Sequence, residues 1–415
     1  MATESTVEST AESTAEITAH KDAVRRRIEE RRARLIALSR SIHAEPELSF
    51  EEYRSADKVI EHLSEAGFAV EKGVGGLDTA FSATLGSGDL VVGICAEYDA
   101  LPEIGHACGH NVIAASAVGA ALGLAAVADD LGIRVKVVGT PAEEHGGGKV
   151  LLLERGVFDD VTVSMMVHPA QEDSHPAAFR SQAVSRFAVT YTGRPSHAAA
   201  APHLGVNAAD AMVVAQVAVA TLRQQITANC RIGLFVREGG TATNIIPERT
   251  VVDCEVRAFE LAELTALKER VMACFQAGAL ASGCTMDSAP TEPDYAELWQ
   301  DPALADLFAA NLTATGRDVP DSQHRLTGGS TDMGNVSQVV PSIHPAIAVI
   351  GAQHAPHTRG FAQDTGTPAA DDAVIDGALA MAWTAVDAAA DGTLREDLAV
   401  RRRSGLTDPA AATTR

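Results

Sequence analysis

Positive charge is scarce in this chain of 415 residues: 33 Lys and Arg stand against 55 Asp and Glu, a formal net charge of −22. Nucleic-acid binding needs a basic surface to neutralise phosphates, and this composition excludes one. An anionic substrate would need a local Arg or His to hold it against the overall field. Aromatic residues make up only 4%, so Ala, Val and Leu must fill the interior. The six cysteines, at 95, 108, 230, 254, 274 and 284, include no CxxC pair. That excludes a small disulfide framework and points to reduced thiols in a cytoplasm. The opening MATESTVESTAESTAEITAH has neither the basic start nor the apolar stretch of a signal peptide. One stretch bears on membrane insertion. VIAASAVGAALGLAAVA (112–128) carries no charge but is shorter than the ~20 residues a membrane span needs, so it reads as a buried helix.

What is present is an alternation. Residues 1–21 and 399–415 read as disordered tails. After an amphipathic helix at 22–41, apolar runs alternate with helices: LVVGICA (90–96), IRVKVVG (133–139) and VTVSMMV (161–167). Such runs mark a mostly parallel sheet covered on both faces. From 185 to 295 the order becomes β-α-β-β-α-β, a compact second domain. A further apolar run, AIAVIGAQ (346–353), resembles the first region's strands. The expectation is an α/β catalytic domain, 22–184 plus 296–398, interrupted by an inserted domain at 185–295.

Each apolar run is followed by reactive residues. EYDALPEIGHACGH follows the first, TPAEEHGGG the second, HPA the third and GAQHAPHT the last. Ligands in open α/β sheets bind at the carboxyl ends of strands. Cys108, His110, Glu143, Glu144, His168 and a histidine of HAPH (His354 or His357) are therefore expected at one edge. Thiolate, imidazole and carboxylate suit zinc and its neighbours, and a thiolate can bridge two cations. Of the adjacent Glu143 and Glu144, one can ligate while the other takes a proton from water. GGGK (146–149) is not a phosphate loop, because Glu143 and Val150 break the pattern.

ACGHN, GTPAEE–GGGK, MMVHP and STDMGNVSQVVPSIHP resemble the two-metal aminoacylase and carboxypeptidase G-type metallopeptidases. Within that family they are similar to the amidohydrolase branch, with auxin-conjugate hydrolases and aminobenzoyl-glutamate hydrolase. The subgroup they resemble is aminoacylase-1-like or β-alanyl-lysine dipeptidase-like. The resemblance covers about residues 22–395 and implies a ferredoxin-like lid that dimerises. It implies two divalent metals per subunit (Zn²⁺ or Mn²⁺, with Co²⁺ possible), with Cys108 bridging and His110, Glu144, His168 and His357 as ligands. Glu143 is then the general base, and Asp99 orients a ligand. His197 is presented to the partner subunit's site to stabilise an oxyanion. Asn244 contacts substrate and Arg257 holds an anionic group. Other branches have histidine where Glu97 stands, and CGHD reads CGHN here, with Asn111. The implied reaction is hydrolysis of N-acyl amino acids or short dipeptides by a homodimer. Two alternatives stand beside it: Cys108 as nucleophile with His110 or His106 as base, and a catalytically silent metal- or ligand-binding homologue.

Overall fold

The computed structural model describes residues 2–320, 325–326 and 329–406. They form two compact units, one of residues up to Arg180, from Leu298 and from Asn335 onward, the other of Ser181–Glu297 with a return segment ending at Gly334.

The first unit is built on a six-stranded sheet. Its order is Ala69–Lys72, Phe81–Leu85, Ile133–Gly139, Leu90–Ala96, Val163–Met165, Ser342–Ile343. The last four run parallel, and the first two form an antiparallel edge. Leu90–Ala96 is buried at every position, as a strand covered on both faces must be. His110–Ala125 is buried along all but its last residue. It packs with Ala2–Ala44 and Pro368–Ala390 in the core. Small side chains let these helices approach closely: a Cβ on Gly119 would lie 2.7 Å from that of Ala378. Close approach is how a core poor in aromatics reaches normal density. Pro368–Ala390 is long and apolar enough to span a bilayer, but 83% of its apolar window is buried inside the protein.

Three expectations are corrected. The third apolar run holds only the short strand Val163–Met165, and His168–Ala170 just beyond it is a second one. Val163–Met165 joins the sheet, whereas His168–Ala170 pairs in parallel with Ala346–Ala348 in a separate ladder. Pro169, Pro341 and Pro345 have no N–H to donate, which keeps these strands short. The N-terminal tail is also helix: Ala2–Ala44 is continuous. Its Ala and Glu favour helix, Ile17 packs on the core, and Lys21 pairs with Asp387 at 2.7 Å. Finally, the helix Gly392–Ser404 runs into the first residues of the expected C-terminal tail. Arg401 pairs there with Asp301, and Arg402 donates to the carbonyls of Val161 and Phe158. Residues 407–415 lie outside the described residues.

The second unit is a four-stranded antiparallel sheet, ordered Thr285–Pro290, Ala183–Thr192, Arg249–Ala258, Arg231–Glu238. The helices Ala208–Leu222 and Leu261–Ser282 complete the expected β-α-β-β-α-β order. Their apolar stripes pack with Phe187, Val189, Tyr191 and Val252. A Cβ at Gly278 would lie 2.3 Å from the carbonyl oxygen of Ala211, so only glycine allows the two helices this contact.

Candidate metal centre

The first unit brings the expected residues together. Strand Leu90–Ala96 ends at Glu97 and Asp99, and the chain then folds through Cys108 into the helix that starts at His110. Gly109 sits between the two at φ 77°, where a Cβ would strike Pro169 at 2.8 Å. That left-handed turn aims Cys108 and His110 at one point. Strand Ile133–Gly139 leads to Glu143 and Glu144, and His168 follows Val163–Met165. The amide of His357 donates to the carbonyl of Ala107 at 2.9 Å, which draws the C-terminal histidine to the CGH turn.

Donor atoms of Cys108, His110 and His168 lie within 4.8 Å of one another, as do those of Cys108, Glu144 and His357. The two groups share Cys108. His354, the rival in HAPH, pairs instead with Asp364. Glu97, His110 and Glu143 form a third group. His110 Nε2 and Glu144 Oε1 are buried without a hydrogen-bond partner. Such groups are costly to bury unless something binds them, so this set of thiol, imidazole and carboxylate donors fits divalent cations. Ala142 and His357 both hold positive φ, at 59° and 64°. Backbone strain of this kind gathers at functional sites.

Asp99 joins the two halves. Its Oδ1 meets His110 Nδ1 at 2.9 Å, and its Oδ2 accepts from the Glu144 amide at 3.0 Å and Ser49 Oγ at 3.2 Å. Burial would raise the Asp99 pKa, but the His110 charge and hydrogen bond overcome it and hold the group down at about 2. Asp99 thereby directs His110 Nε2 into the site. His168 Nδ1 lies 2.9 Å from the Pro169 carbonyl. Burial pushes its pKa down to about 4, so the ring is neutral and its lone pair available at neutral pH. Burial, then Glu144, raise the Cys108 thiol well above its ordinary value. This is the opposite of an activated nucleophile, and only a cation would make a thiolate favourable there.

Asn111 donates to Ser39 Oγ at 2.9 Å and to the Thr365 carbonyl at 3.0 Å, so the change from CGHD ties helices together rather than removing a ligand. Sequence reasoning passed over Glu52 and His344. The Glu52 carboxylate accepts from the amide of the strained Ala142 at 2.8 Å and from Thr79 Oγ1 at 2.9 Å. Its signal is an acidic residue just before a helix that is nonetheless fully buried. His344 lies 5.4 Å from His168, ring to ring, and its only sequence trace is SIHP.

His197, Asn244 and Arg257 belong to the second unit. His197 Nδ1 accepts from the amides of Ala199 and Ala200 at 3.2 and 3.1 Å, which makes Nε2–H a donor. The Asn244 carbonyl accepts from the Ala198 amide at 3.0 Å, so His197 and Asn244 are neighbours. Arg257 donates to Glu255, at 2.7 and 3.0 Å, and to Ser330 Oγ at 3.0 Å.

A family model described as the peptidase dimerisation domain matches residues 182–282. The Xaa-Arg dipeptidase of Mus musculus is 40% identical over 378 residues, 87% of each chain. That of Homo sapiens is 38% identical, covering 87% of this chain and 86% of the relative. A dinuclear metal-binding peptidase of the M20 family from Bacillus subtilis shares the fold at TM-score 0.63 and 22% identity, with 86% of this chain and 98% of that one covered. Fold and relatives together define a metal-dependent hydrolase of amide C–N bonds. The chain belongs to the M20 metallopeptidase family.

Proposed function

We propose that this protein is a homodimeric, cytoplasmic two-metal dipeptidase that removes a C-terminal basic residue from dipeptides, with N-acyl amino acids as lesser substrates. The observation that carries the reading is the pair of ligand groups sharing Cys108. The basic preference is drawn from the Xaa-Arg dipeptidases, and the net charge of −22 favours cationic substrates. The cytoplasmic assignment rests on six free cysteines.

Cys108, His110 and His168 would hold one cation, and Cys108, Glu144 and His357 the other. Zn²⁺ or Mn²⁺ suits the set, and Co²⁺ is a useful substitute. Bound there, the cations polarise the amide carbonyl and lower the pKa of water. Glu143 takes the proton from the attacking water and passes it to the leaving amine. The His197 Nε2–H from the lid of a second copy donates to the developing oxyanion. Asn244 orients the substrate, and Arg257 receives its terminal carboxylate.

The test is a panel of Xaa-Arg, Xaa-Lys and Xaa-Glu dipeptides and N-acetyl amino acids. Each is assayed before chelation, after it, and after return of Zn²⁺, Mn²⁺ or Co²⁺. Activity on the basic dipeptides that vanishes and returns supports the reading. Activity that survives metal removal, or a preference for Xaa-Glu, rejects it.

A further inference from the structure

Lys149 is a costly residue in its place. It lies at the start of the helix Gly148–Glu154 and is fully buried. A lysine in the first turn opposes the helix dipole, and a buried ammonium is expensive unless paired. The glycines before it bring it there. Gly146 and Gly147 hold φ of 120° and 64°, and a Cβ on Gly148 would lie 1.8 Å from the Pro141 carbonyl oxygen. No residue with a side chain could take that path. The GGGK motif, which fails as a phosphate loop, thus works as a tight return that seats Lys149 under the site.

Its partner is Glu97. Lys149 Nζ lies 2.5 Å from Glu97 Oε1, and both side chains are fully buried. The other oxygen, Oε2, lies 3.5 Å from His110 Nε2, the nitrogen that Asp99 leaves free for a cation. Cys108 as thiolate with Glu97, Asp99, Glu143 and Glu144 sets five negative charges against two dications. Lys149 supplies a further positive charge, which brings this sum to zero.

We propose that Lys149 is a positioning residue: paired with Glu97, it holds that carboxylate beside His110 without letting it become a ligand, and it balances the charge of the two-metal site. The inference rests on the two-metal reading above.

The test is a double-mutant cycle of Glu97→Gln, Lys149→Met and the paired variant, read by affinity for Zn²⁺ in chelator buffers and by the visible spectrum of the Co²⁺-loaded proteins. Glu97→Gln leaves an uncompensated ammonium near the cations and weakens Zn²⁺ binding at least about tenfold. Lys149→Met frees Glu97 to reach the cation, which tightens binding and changes the Co²⁺ spectrum towards higher coordination. The paired variant returns towards wild-type affinity and regains at least about tenfold in kcat over Glu97→Gln. A merely structural role would not produce opposite signs that cancel.

A paired variant as weak as Glu97→Gln makes Glu97 a ligand in its own right and overturns the proposal. So do four proteins of equal affinity. If Lys149→Met does not fold, Glu97→Gln against the paired variant still decides. If the wild-type protein binds no divalent cation, it is the two-metal reading that fails. Urea midpoints of the metal-free proteins then judge the pair: a paired variant above both singles keeps it, and additive losses remove it.

Discussion

The two units bury their side chains differently. In the first, whole strands are inside and the chemistry is inside with them. Glu97, Asp99, Cys108, His110 and Glu143 are all buried, in a setting that moves the pKa of most of them. In the second, strands alternate, as in Arg231–Glu238, and the candidate residues His197 and Asn244 are exposed. A buried cluster of charges is stable only if it is balanced, so the first unit needs cations and Lys149. An exposed donor needs no such balance and can serve a site outside its own unit. The contrast teaches which residues should be intolerant of change, and why.

The sharpest way to break the comparison is Glu143→Ala. Turnover should fall by about 10³-fold or more, while bound metal and fold persist. Loss of metal from that variant would make Glu143 a ligand and undo its separation from Glu144. Next comes His197→Gln, expected to cost roughly 10²–10³ in kcat with little change in KM. Mixing it with Glu143→Ala and letting subunits exchange should restore activity, because one hybrid site then has both groups. No recovery on mixing would place the action of His197 within its own chain.

A third effect concerns pH. Burial depresses His106, His168 and His344 to about 3, 4 and 3, so each is neutral when folded and takes a proton on unfolding below its ordinary 6.5. Their contribution is complete above pH 6.5 and is lost as pH falls towards 4. Glu52, raised to about 7 by burial and then by Asp99, and His110, raised against the effect of burial well above its ordinary value by Asp99, hold protons in the fold and oppose them. Near pH 5, where His110 is protonated in both states, the balance is a net uptake of about two protons on unfolding, and it shrinks towards pH 7. The urea midpoint of the metal-free protein should therefore drop between pH 7 and pH 5, and a constant midpoint would contradict neutral buried histidines. The smallest effects separate core from surface. Leu35→Ala, at 0% exposure in the first unit, should cost about 2–5 kcal/mol. Val217→Ala, on the second unit's helix at 59% exposure, should stay within about 0.5 kcal/mol unless the dimer covers it. A larger loss at Val217 that depends on protein concentration would locate the dimer contact.

Periodicity carried the order of elements. The run at 90–96, wholly apolar, and the run at 133–139, interrupted by Arg134 and Lys136, read as strands, and the β-α-β-β-α-β order of the second unit followed from alternation and helix spacing. The candidate donors were legible because reactive residues follow strands, and side chains at strand ends are brought together. Other features were out of reach. That 346–348 pairs with 168–170 instead of joining the main sheet depends on prolines acting across some 175 residues of chain. That the N-terminal segment is helix depends on partners for Ile17 and Lys21 lying far along the chain.

The sequence by itself determined the residue types and their place after strands, because hydrophobic period and turn chemistry are local. Only the tertiary structure decided which of them meet. His357 and the shared Cys108 were already implied by the family resemblance, whereas the tertiary structure tied Asn111 to Ser39 and Thr365 and set Lys149 against Glu97. Each of those outcomes is a distance between residues remote in sequence, and such distances exist only once the chain has packed.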